Sequence, residues 1–89
     1  MYKVVPYGWR GMCHEVKAAL DVTYANGPLT RRQAKRASRR CFDLLMGEVD
    51  PSLVAARTIH RDGCHYAAVS SPDGELVTTC GVIIRKVEV

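Results

Sequence analysis

Six of the chain's thirteen basic residues fall within ten positions: Arg31, Arg32, Lys35, Arg36, Arg39 and Arg40. At about 100° per residue these six occupy one continuous arc of a helix, while Ala34, Ala37, Cys41, Leu44 and Leu45 occupy the opposite arc. Four like-charge pairs then stand at i,i+4, each destabilising the helix by about 0.2–0.5 kcal/mol. Arg31 and Arg32 also place cations at the positive end of the helix dipole, where a helix selected only for stability carries Asp or Glu. This is chemistry for an anionic partner: the phosphates of nucleic acid, or the carboxylates of an acidic protein surface, both of which Arg grips bidentately. The free N–H groups beside Thr30 add to the anion-binding character of the helix entrance. Gln33 has bidentate adenine chemistry, but a capping contact with Thr30 employs it locally.

A second set of residues has the chemistry of RNA cleavage. His60 and His65 flank a turn, with Arg57, Arg61, Thr79 and Arg85 on the adjoining strands. An imidazole can move the 2′-hydroxyl proton, and a guanidinium can stabilise the charge that builds on phosphorus. His60, His65, Arg57 and Arg61 are therefore the candidate catalytic residues of an alternative, ribonuclease reading. The expected strand register turns His60 to the core and His65 away from it, with no carboxylate to orient either ring, so binding without catalysis is the primary expectation.

The cysteines offer a third chemistry. His60, Cys64 and Cys80 fall on one expected sheet face, and Cys13 or Cys41 could complete a tetrahedral site whose ligand types suit zinc. No C-x-x-C or H-x₃-H spacing accompanies them, so the expectation is buried thiols with no metal and no cofactor. Cys13-His14 pairs a thiol with an imidazole but has no third residue to orient it.

The elements that must position these residues follow from periodicity. Tyr2–Tyr7 is rich in β-formers, and Pro6 places it at a sheet edge. Met12, Val16, Ala19, Leu20 and Tyr24 recur at helical spacing, predicting a helix over about 11–25 that Asn26-Gly27-Pro28 ends. Thr30 with Gln33 forms a capping-box pattern, Leu29 can staple the entry, and the cationic helix should run to about Met46 with Gly47 as its C-cap. Arg61-Asp62-Gly63 and Pro72-Asp73-Gly74 are two x-Asp-Gly turns, which pair 60 with 64 and 71 with 75. A meander of strands 54–60, 64–71 and 75–87 results. An unbroken register puts Ala56, Thr58, His60, Cys64, Tyr66, Ala68, Leu76, Cys80, Val82 and Ile84 on its core face.

The expected architecture is a single α+β domain over 1–89, β-α-α-β-β-β, with two helices on one face of an antiparallel sheet. That order is similar to the order in small toxins of the RelE and ParE type, a topological resemblance that implies RNA cleavage as an alternative activity. Size and charge bound the rest. Eighty-nine residues support one core. The net charge of +4 is local, because outside 31–40 the acidic residues outnumber the basic ones by two. No secretory pattern opens the sequence and no apolar run approaches membrane-spanning length, so a cytoplasmic protein without membrane contact is expected. Tyr2, Tyr7 and Trp9 add aromatic area suited to base stacking or to an interface, although Trp9 reads foremost as a cap on the core edge. The functional expectation is a binding or regulatory protein, inhibitory in action, that turns its Arg-rich helix to nucleic acid or to an acidic partner. A phage-type anti-defence or host-takeover inhibitor that acts purely by protein–protein binding is the other alternative.

Overall fold

In the computed structural model the chain runs β1 (Tyr2–Tyr7), α1 (His14–Tyr24), α2 (Arg31–Gly47), β2 (Val54–Ile59), β3 (His65–Ser70) and β4 (Leu76–Lys86). The structure describes residues 1–8, 14–25 and 27–87. Trp9, the expected first turn of the first helix with Met12 and Cys13, and Asn26 of its stop signal lie outside the described residues. The four strands form one antiparallel sheet in the order β1-β4-β3-β2, with the helices packed on one face, so the α+β architecture is as expected.

The best-specified element is α2. Thr30 Oγ1 accepts the Gln33 N–H at 3.3 Å and Gln33 Oε1 accepts the Thr30 N–H at 2.9 Å, so the capping box forms in full. Its end differs from expectation. Gly47 is the last helical residue, and Glu48 caps the helix in a right-handed conformation, its N–H directed to the Leu45 and Met46 carbonyls. The buried stripe of Ala34, Ala37, Ser38, Cys41, Phe42, Leu45 and Met46 lies across β1 and β4 and reaches β3. Val16 and Leu20 of α1 join it, as do Leu29 and the sheet residues Val4, Ala67, Val69, Cys80 and Val82.

Both Asp-Gly turns close as predicted. The His60 N–H donates to the Cys64 carbonyl at 2.9 Å and the Ser71 N–H to the Glu75 carbonyl at 2.8 Å. Gly63 and Gly74 take φ of +91° and +93°, the left-handed region that such turns demand. Asp62 accepts the Cys64 N–H, and Asp73 accepts the Ser71 hydroxyl and the Glu75 N–H, which holds both carboxyls below their usual range.

The faces of β2 and β3 are the reverse of the expected ones. His65, Ala67 and Val69 point to the helices, and Thr58, Tyr66 and Ala68 point away. In β4, Cys80, Val82 and Ile84 do face the core. A bulge reconciles the two: Val69 pairs with Thr78 but Ser70 pairs with Leu76, so Val77 is an extra residue that shifts the alternation by one. Leu76, expected in the core, is consequently exposed.

The two sheet edges are treated differently. On β1, which carries Pro6 as expected of an edge strand, the Val4 N–H donates to the Tyr24 hydroxyl, and Tyr2 exchanges backbone hydrogen bonds with Leu29 at 2.8 and 3.2 Å. Among the described residues no strand pairs with the outer edge of β2, and Val54 and Ile59 are exposed at 57% and 70%.

Candidate functional site

All six cations of α2 are exposed, in two rows that follow the helix: Arg31, Lys35 and Arg39, and Arg32, Arg36 and Arg40. Lys35 and Arg39 of the first row border a groove of about 450 Å³ between α2 and the β2–β3 hairpin. Lys35, Arg39 and Asp43 supply its helical side, Arg57, Ile59, His60 and Arg61 its hairpin side, and Phe42, Gly63 and His65 the remainder. Four cations and one carboxylate therefore converge on one concave surface.

Two features hold the hairpin against the helix. Ser38, fully buried, donates its hydroxyl to the Gly63 carbonyl at 2.8 Å. Gly63 packs so closely that a Cβ there would stand 2.7 Å from Lys35 Cγ and 2.8 Å from Ile84 Cδ1. A glycine thus serves twice, through its positive φ and through its lack of a side chain, and it carries His60 and Arg61 to the side of Lys35.

Inside the groove, the His65 ring lies 5.0 Å from the Phe42 ring, and the Arg57 guanidinium stands 6.0 Å from the Phe42 centroid. His65 is 5% exposed, and its buried Nδ1 has no hydrogen-bond partner among the described residues. Burial pushes its pKa below the ordinary histidine value; Asp43 opposes that shift and Arg39 reinforces it. The ring is accordingly neutral at pH 7. His60 is exposed, with its ring edge-on to Tyr66 at 4.8 Å.

The expected orientations of the histidines are therefore exchanged: His60 points outward and His65 inward, because the Val77 bulge shifts the strand faces. Both nevertheless line one groove with Arg57 and Arg61, and the same groove takes in Lys35 and Arg39 of the cationic helix. Two sets of residues that read as separate in the sequence thus meet. Arg31, Arg32, Arg36 and Arg40 lie on the adjoining helix surface, while Thr79 and Arg85 are not part of the groove lining. Phe42, which carries both ring contacts, was not singled out in the sequence; its signal was an aromatic residue at the border between the helix's core arc and its cationic arc.

The expected sharing of a face by His60, Cys64 and Cys80 does not hold. Cys80 belongs to the core beneath α2, whereas Cys64 lies outside that cluster, its Sγ accepting the Ile84 N–H at 3.3 Å. Among the described residues no three His, Cys, Asp or Glu side chains gather in metal-holding geometry. Cys41, Cys64 and Cys80 are buried thiols. No described helix is long and apolar enough to cross a membrane. No protein-family model matches the chain, and no curated protein or solved structure is significantly similar to it.

Proposed function

We propose that this protein binds nucleic acid through the cationic face of α2 and the groove that α2 forms with β2, and that it regulates or inhibits by occupying its target. The observation that carries the reading is convergence: Lys35 and Arg39 from the helix and Arg57 and Arg61 from the hairpin border one groove, beside four further helical cations. Phosphates spaced along a strand match such a surface, and the affinity it provides is dominated by counterion release and is largely independent of sequence. Repulsion among the α2 cations works against the helix when no partner is bound, which supports an anionic ligand over a purely structural role.

Titration of labelled DNA and RNA at several salt concentrations tests this. Binding that weakens linearly in log K against log salt supports the proposal. Silence toward both nucleic acids, together with binding of an acidic protein surface, transfers the patch to the protein-inhibitor alternative.

Metal-independent RNA cleavage is the second reading, favoured by the meeting of His60, His65, Arg57 and Arg61 in the groove. Against it stand the burial of His65 and the presence of a single carboxylate, Asp43, in the lining. Cleavage of RNA in the presence of chelator, abolished by His60→Ala, would establish it in place of simple binding.

A further inference from the structure

The sheet face opposite the helices has a composition that the proposed function does not use. Alternation places Lys3, Val5 and Tyr7 of β1 on it, because Val4 between them is in the core. Tyr7 pairs with Gly81, Gly81 pairs with Tyr66, and Tyr66 pairs with Thr58, so one register row crosses all four strands. Within that row the Tyr7 and Tyr66 rings lie 6.0 Å apart, and His60 stands 4.8 Å from Tyr66. Gly81 makes the row possible: a Cβ at that position would fall 2.8 Å from Tyr7 Cε1 and 2.9 Å from its hydroxyl oxygen. Three aromatic rings therefore form a file across the sheet face that neither helix covers.

The same face is cationic. Lys3 stands directly opposite Arg85, a like-charge cross-strand pair that is unfavourable for the sheet by itself. None of the four strands contains an Asp or a Glu. Lys3 is four residues from Tyr7, about 13 Å along the strand at ~3.3 Å per residue. His60 belongs to both surfaces, since it borders the α2–β2 groove and touches Tyr66.

From these observations we propose that the sheet face away from the helices is a stacking platform for single-stranded nucleic acid, with Tyr66 and Tyr7 receiving bases and Lys3 and Arg85 receiving phosphates. Unpaired bases expose π-faces to protein rings, whereas a duplex keeps them stacked inside, and an exposed Tyr7 beside a half-buried Tyr66, flanked by cations, answers to the former. The inference rests on the nucleic-acid reading of α2 and adds to it the strandedness of the ligand.

Fluorescence anisotropy with a labelled oligonucleotide, offered as a single strand and as the duplex with its complement, tests both. The expected result is tighter binding of the single strand. Tyr66→Ala and Tyr7→Ala should each weaken it by about tenfold, within the usual range for loss of one base–aromatic stack. Tyr66→Phe and Tyr7→Phe should keep wild-type affinity, and duplex affinity should not change. Equal affinity for the two forms, or full single-strand affinity in folded alanine variants, overturns the platform and leaves the α2 reading standing. Single-strand binding that needs the tyrosines but not the α2 cations supports the platform and overturns that reading. Failure of the wild-type chain to bind either form removes both.

Discussion

Replacing Arg32, Arg36 and Arg39 together by Gln takes charge from both rows of α2 without touching its buried stripe, because all three side chains are exposed. Binding should weaken by an amount set by counterion release. If each side chain neutralises one phosphate, the slope of log K against log salt shallows by about 2.7 on duplex and by about 2 on single strands. At about 0.1 M salt, one decade below the molar range where this contribution vanishes, affinity falls on the order of 10²–10³-fold. Stability should move the other way. Three of the four i,i+4 repulsions disappear (32/36, 35/39 and 36/40), which stabilises the helix by roughly 1 kcal/mol. For a domain this small that raises the melting temperature by about 4–8 °C. The assay is a salt series of binding isotherms on both proteins, with thermal melts followed by circular dichroism. A variant that binds with the wild-type slope would refute the phosphate role of this face, and one that melts lower would refute the electrostatic account of α2.

His65→Phe should be neutral or stabilise the fold by about 1 kcal/mol, because it removes from beside Phe42 a buried nitrogen that has no partner among the described residues. It should also flatten the pH dependence. The folded pKa of His65 lies below its unfolded value, so the stability tied to the neutral ring is full above about pH 6.5 and is lost as pH falls through the interval between the two values; urea melts at pH 7.5 and 5.5 show whether the wild type alone loses it. Gly63→Ala should cost about 1–2 kcal/mol from its φ of +91° alone, with more from contact with Lys35 and Ile84, and a denaturation midpoint equal to wild type would contradict the tight hairpin–helix junction. Leu45→Ala, at a side chain 1% exposed, should destabilise by about 2–5 kcal/mol in chemical denaturation.

Local chemistry was the legible part of this fold. The capping box at Thr30 and Gln33 and the two Asp-Gly turns depend on residues within four positions of one another, and each formed as its residue types dictate. The edge position of β1 was legible for the same reason, since proline has no N–H to give a second neighbour. What the sequence concealed was the phase of the sheet. Tyr66 and Leu76 look like core residues and His65 looks like a surface one, and only the extra residue at Val77 makes the reverse arrangement consistent with Cys80 and Val82 facing α2. A bulge between ordinary β-formers leaves no composition signal. The cationic helix was readable as a periodic pattern, but its meeting with Arg57, Arg61 and the histidines depends on Ser38 reaching the Gly63 carbonyl across 25 positions, a pairing no short-range pattern encodes.

The bulge at Val77 also determines which changes of chain length this protein can survive. The solvent-facing turn at 72–74 lies outside the paired register, so residues gained or lost there leave every strand side chain on its present face. Val77 can be lost on the same terms, since Thr78 would still meet Val69 and Leu76 would still meet Ser70. One residue lost inside β3 acts instead like a frameshift in side-chain space: without Ala68, and with Ala67 held opposite Cys80, Val69 would turn out to solvent and Ser70 would turn toward the helices. Insertions and deletions among related chains should therefore collect in the second hairpin loop and at the bulge, and should spare the paired stretch from His65 to Val69.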